Sequence, residues 1–172
     1  MKRRVTLMLG IASLLVLGVA AVALAGTFVG TNKANNISGG ANPDKIYGLN
    51  GNDILRGAAG NDYIESGAGA DFSHGDSGND QVYGGPGADD VFGDDGQDHV
   101  DGGYGNDSSI NGGAGRDLLV SVDGIVGNDD LNGGADVDVC IVDAFGGNFD
   151  SFANCDGNQI LVNTSNVGPN HP

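Results

Sequence analysis

Residues 48–110 read GLNGNDILR, GAAGNDYIE, SGAGADFSH, GDSGNDQVY, GGPGADDVF, GDDGQDHVD and GGYGNDSSI, seven blocks of nine. Asp holds the sixth place of every block. The frame is G-G-x-G-x-D-x-U-x, with U a large apolar residue. It extends to twelve units: 30–38, 39–47, the seven blocks, 112–120, 124–132 and 133–141. One extra residue, Asn111, and three, Ser121 to Asp123, interrupt the phase. The first place is Gly in every unit except that of Ser66. The sixth is Asp in every unit except that of Asn35. The eighth is apolar except at Ser73 and Ser109, beside which stand Phe72 and Ile110. A fixed nine-residue period marks a stacked coil.

Each place has a physical task. Gly at the first and fourth places, with another at the second in six units, permits positive φ and a tight turn. Such a turn aims successive carbonyl oxygens at one point, and the sixth-place Asp adds a charged oxygen there. The x-U-x that follows is a very short strand, with U inward and its neighbours outward. Nine residues make half a coil; eighteen make a full coil with strands on two opposite walls. Units n and n+2 then stack. Asp44, Asp62, Asp80 and Asp98 form one ladder; Asp53, Asp71, Asp89 and Asp107 form the other. Neighbouring rungs lie about 4.8 Å apart, so bare carboxylates would repel. A hard divalent cation reverses that sign. Calcium accepts about six to eight oxygens in flexible geometry, whereas magnesium wants a rigid octahedron and keeps its waters. Zinc would want His or Cys, and neither recurs in the repeat.

On these residues the chain resembles the RTX (hemolysin-type) calcium-binding nonapeptide-repeat family. The resemblance implies an all-β fold, a right-handed parallel β-roll solenoid over 26–141, with several Ca2+ ions held in its turns. Carried over place by place, the implied ligands are Asp44, Gly51, Asp53, Gly60, Asp62, Gly69, Asp71, Gly78, Asp80, Gly87, Asp89, Gly96, Asp98, Gly105, Asp107, Gly115, Asp117 and Asp129. Unit 30–38 departs from the pattern at Lys33 and Asn35, and unit 133–141 at Asp136. The phase breaks predict bulges.

Family members commonly leave the cell by an exporter that reads a C-terminal signal. This chain instead opens on Lys2-Arg3-Arg4, an apolar run from Val5 to Ala25, and Ala23-Leu24-Ala25. That is the form of a leader, residues 1–25, cleaved after Ala25. The expected location is therefore secreted and extracellular, with no membrane association after cleavage. The rival is an uncleaved anchor, since about 20 apolar residues can span a bilayer. Beyond residue 25 stand all 23 acids and only Lys33, Lys45, Arg56 and Arg116, so four positive charges less 23 negative leave −19. Such a charge argues against nucleic acid and anionic membranes and favours cations. Gly at 33 of 172 residues and the absence of Trp predict that the metal-free chain cannot bury enough to fold.

Two cysteines in an exported chain are expected to pair. Cys140 with Cys155 would staple a C-terminal cap over 142–160, with Phe145, Phe149 and Phe152 over the last coil. The alternative is two free thiols. Residues 161–172 read as a loose tail; Asn163-Thr164-Ser165 in it fits a glycosylation acceptor. No enzyme is expected. His74 and His99 occupy outward places, and no H-E-x-x-H or phosphate loop occurs. The remaining readings are a calcium-stabilised scaffold, at the cell surface or free, or an adhesion or glycan-binding wall using Tyr47, Tyr83 and Phe92. The irregular ninth places argue against ice binding.

Overall fold

The computed structural model describes residues 24–123, 129–145, 148–156 and 158–162. Of the expected leader only Leu24 and Ala25 fall within them, and residues 163–172 lie outside. The side chains of Phe145 and Phe149 also lie outside the described set.

Every described element is a strand. One wall contains β1 (Thr27–Val29), β3 (Lys45–Tyr47), β5 (Tyr63–Glu65), β7 (Gln81–Gly87), β9 (His99–Gly105), β11 (Leu118–Ser121) and β13 (Val139–Phe145). The other contains β2 (Asn36–Ser38), β4 (Ile54–Ala59), β6 (Phe72–Ser77), β8 (Asp90–Asp95), β10 (Ser109–Ala114), β12 (Asp130–Ala135) and β15 (Ser151–Ala153). Each of these strands pairs in parallel with the strand two places along the chain or, for β15, with β12. The result is the expected β-solenoid, of about seven coils.

The register follows the nine-residue frame. Ile46 pairs with Ile64 and Ile64 with Val82, so eighth-place residues stack directly. Ile46, Ile64, Val82, Val100 and Leu119 line the inside of one wall; Leu55, Val91, Ile110 and Leu131 line the other, and all are buried. Each half-coil thus contributes about one apolar side chain, which makes a narrow core.

The first phase break resolves differently from the sequence reading. Ile110, not Ser109, pairs with Val91 and Leu131 and is fully buried. Ser109 pairs with Asp90, the seventh place. The extra residue is therefore Ser108, inserted just after Asp107, and Asn111 is an ordinary ninth-place residue. Burial of one more isoleucine decides this register, because the alternative would place a serine inside. Ser73, by contrast, does point inward and is fully buried. Its Oγ lies 2.6 Å from that of Ser66, also fully buried.

The described strands of the C-terminal segment 142–160 pair with strands of the roll. β13 runs through residue 141, β15 pairs with β12, and β16 (Asn158–Val162) pairs in parallel with β13. A short strand, β14 (Asn148–Phe149), turns back antiparallel on β13. Phe152 stands across from Leu131 and packs on the core. Cys140 takes the inward place of β13 and is bonded to Cys155, Cα to Cα 5.8 Å, the pairing expected from the sequence.

Candidate metal centre

The two Asp ladders exist as stacked rungs. The backbone N–H of each sixth-place residue donates to Oδ1 of the next Asp on the same side. On one side the bonds run from Asp44 to Asp62, Asp62 to Asp80, Asp80 to Asp98, Asp98 to Asp117 and Asp117 to Asp138, at 2.7–2.9 Å. On the other they run from Asn35 to Asp53, then Asp71, Asp89, Asp107 and Asp129, again at 2.7–2.9 Å. Neither insertion breaks this pattern. Asp107 still reaches Asp129 across 22 residues, so the ladder bond is kept despite the added residues.

In most rungs one carboxylate oxygen is therefore engaged, and the other is not. Oδ2 of Asp53, Asp62, Asp71, Asp80, Asp89, Asp98, Asp107, Asp117 and Asp138 is buried without a hydrogen-bond partner. Among the described residues no Lys or Arg pairs with these carboxylates; the one Arg ion pair, Arg56 with Asp76, lies elsewhere. Buried acceptors of this kind are costly unless something occupies them.

The glycines show what space lies beside them. A Cβ built on Gly57 would stand 2.4 Å from Oδ2 of Asp62 and 2.6 Å from the carbonyl oxygen of Gly75. On Gly93 it would stand 2.6 Å from Oδ2 of Asp98 and 2.6 Å from the carbonyl of Gly112. A first-place carbonyl of the next coil and a free carboxylate oxygen thus both border the space beside these glycines. The sequence-derived ligand set does not include the first-place glycines. The fourth-place glycines form a second file. The carbonyl of Gly51 abuts Gly69, that of Gly69 abuts Gly87 and that of Gly87 abuts Gly105; Gly60, Gly78, Gly96 and Gly115 repeat this on the other side. They lie nearer to Oδ1: a Cβ on Gly96 would be 3.0 Å from Oδ1 of Asp98.

Burial pushes these acids upward. Desolvation, partly offset by the backbone hydrogen bond to Oδ1 and reinforced by neighbouring rungs, raises Asp80 and Asp89 to about 7 and Asp98, Asp107 and Asp117 to about 6. Asp62 and Asp71 are raised for the same leading reason. Asp129 is raised to about 7 by desolvation, against a hydrogen bond from Ser121.

The expected ligands separate into two groups. Asp44 and Asp129 differ from the rest: Oδ2 of Asp44 accepts the Gly40 N–H, and Oδ2 of Asp129 accepts the Ser121 hydroxyl. Asp138, left out of the sequence-derived set, has the same engaged Oδ1 and partnerless Oδ2 as the central rungs. Asp150 precedes β15 as other ladder acids precede their strands, and it accepts from Ser121 as well.

The arrangement offers only oxygens, anionic and buried, with no recurring nitrogen or sulfur. That donor set suits a hard divalent cation of flexible coordination, and calcium fits it best. Carboxylates alone would repel; a bound ion would supply the missing partner for the partnerless Oδ2 atoms.

No curated protein and no solved structure matches the chain. A family model for the RTX calcium-binding nonapeptide repeat matches in four copies, at residues 29–64, 47–82, 65–100 and 83–119. The matches span most of the parallel coils and both Asp ladders through Asp117, so the chain belongs to the family of RTX calcium-binding nonapeptide-repeat proteins.

Proposed function

We propose that this RTX-repeat protein is secreted through its leader, folds on Ca2+ outside the cell and acts there as a rigid scaffold. The partnerless Oδ2 atoms carry this reading. The sixth-place Asp side chains, with first- and fourth-place Gly carbonyls, would hold several ions between coils. Residues 1–25 serve as leader, 26–141 as the calcium roll, and 142–160 as its disulfide-closed end. Extracellular sites need a Kd of only about 10⁻⁴–10⁻³ M. The chain stays loose in a calcium-poor compartment and is ordered on release, since an ion bound only by the native form stabilises it. No catalytic step is assigned: the acids recur along two ladders rather than meeting as one pair.

Circular dichroism of the chain from Gly26 onward, titrated with calcium and separately with magnesium, tests this. The expected result is a coil-to-β transition with calcium alone, saturating in the range of about 10⁻⁴–10⁻³ M. EGTA-stripped protein with unchanged compactness and melting point would overturn it.

A second reading, a glycan-binding wall, is favoured by one observation. Tyr47, Tyr63 and Tyr83 form a continuous outward file on β3, β5 and β7, with ring centroids 5.8 and 5.5 Å apart, and His99 continues it at 5.4 Å. Phe92 belongs to the opposite wall, not to this file. A glycan array with the calcium-loaded protein and its Tyr63→Ala variant tests it: binding that survives the substitution removes the Tyr file as the contact.

A further inference from the structure

Outside the ladders, one cluster of metal-ligating side chains stands on the wall of β4, β6 and β8. Phe72, His74 and Asp76 alternate outward along β6, and Phe92 and Asp94 do so along β8. His74 pairs with Phe92 and Ser77 with Asp95, which sets Asp76 and Asp94 in one cross-strand row. His74 Nδ1 lies 2.6 Å from Asp94 Oδ2. One ligand atom from each of His74, Asp76 and Asp94 lies within 4.8 Å of the other two.

Two features separate this cluster from an ordinary acidic surface. The imidazole is held in place: it stacks on Phe92 with centroids 4.5 Å apart and planes 8° from parallel, and Phe72 flanks it at 4.8 Å. Its side chain is 15 % exposed and those of Asp94 and Asp76 are 35 % and 27 % exposed, so the three are fixed yet reachable. Moreover, Asp at the second place of the repeat occurs only at 76 and 94, in adjacent rungs of one wall. Elsewhere that place holds Gly in six of the twelve units, so the roll does not require the acids. Like charges facing each other across a parallel pair destabilise it. Arg56 offsets one of them, Nη1 to Asp76 Oδ1 at 2.9 Å, from a side chain that is itself 47 % exposed.

We propose that His74, Asp76 and Asp94 form a binding site for a first-row transition metal ion, of the zinc or cobalt class, separate from the calcium ladders. An imidazole with two carboxylates selects borderline ions over calcium, which prefers oxygen alone. Three protein ligands at a partly exposed place leave a position for water, as in open zinc sites. Entry requires His74 and Asp94 to part slightly and Arg56 to swing into solvent, a movement an exposed ion pair permits at little cost.

The test uses calcium-saturated protein, so that the ladders are filled, titrated with Zn2+ by calorimetry and with Co2+ by visible absorbance. One ion per chain is expected, with cobalt bands of low coordination number. His74→Ala and Asp94→Asn lower the affinity by more than about 100-fold, beyond the roughly 10–100-fold loss typical of an outer-shell change. Arg56→Gln tightens it, because it removes a competing cation without touching a ligand. His99→Ala, on the opposite wall, leaves it unchanged. Calcium stoichiometry and circular dichroism of each variant report folding independently of the second metal. The proposal is overturned if the calcium-loaded protein binds neither ion, if His74→Ala binds them as the parent does, or if zinc enters only by displacing calcium.

Discussion

Ser66 and Ser73 are two departures from the frame that the roll retains inside, and they answer each other. A serine in an apolar file must find a partner, because a buried unsatisfied hydroxyl costs about 1–3 kcal/mol. Ser73 finds it in Ser66, the only non-glycine at the first place. Ser66→Gly should therefore lower stability by about 1–3 kcal/mol, although Gly is the consensus residue there. Ser66→Gly with Ser73→Val should restore most of it, since other coils carry Val in that place. Thermal denaturation at saturating calcium separates the two outcomes; equal losses in the single and double variants would show that the hydroxyl pair is not the cause. Each serine was visible in the sequence as an exception. That one explains the other was not, because a separation of seven residues becomes contact only when the coil closes.

Within the coils, the turns set the tolerance. Gly78 has φ 145°, and a Cβ there would stand 1.5 Å from the carbonyl oxygen of Gly60 in the coil before it. Backbone cannot yield as a flexible side chain can, so Gly78→Ala should part adjacent coils and cost about 4 kcal/mol or more, the range reserved for severe defects. Gly40 is the contrast: its Cβ would meet nothing closer than Asp44 Oδ2 at 3.7 Å. Gly40→Ala should change stability by no more than about 0.5 kcal/mol. Calcium-loaded unfolding curves of the two variants check the difference. Strand register obeys similar local rules, but the extra residue at Ser108 shows their limit. The linear frame puts the interruption at Asn111, and burial of Ile110 moves it.

For the molecule as a whole, the raised acids link stability to pH and metal in opposite senses. Asp80, Asp89 and Asp129 reach about 7 in the folded chain, and Asp98, Asp107 and Asp117 about 6, chiefly by desolvation. Their unfolded values lie near 4. Between these limits the folded metal-free form holds more protons than the unfolded one, so its stability is greatest below about pH 4 and is lost as pH rises through about 6 to 7. Calcium needs the ionised carboxylates, so its stabilisation grows over the same window. Metal-free protein should accordingly be more compact at pH 5 than at pH 8, and calcium should reverse that order. Scattering and far-ultraviolet circular dichroism at both pH values, with calcium and with EGTA, measure it. A metal-free chain equally compact at both would remove the ladder acids as the cause.

The nine-residue period alone determined the parallel coils, the inward file, the two Asp ladders and their preference for a hard cation, because each follows from local spacing repeated without end. The pairing of Cys140 with Cys155 was likewise expected, from two cysteines behind a leader-like start. Three-dimensional closure decided the rest. It selected which carboxylate oxygen the central rungs leave free, and it set first-place glycines of neighbouring coils beside those oxygens. It gave Asp44 and Asp129 partners of their own while leaving Asp138 open. It also carried the roll beyond residue 141 and set His74 beside Asp94 across a gap of 20 residues. These are contacts between coils, and a one-dimensional period cannot say which atoms of two stacked turns will meet.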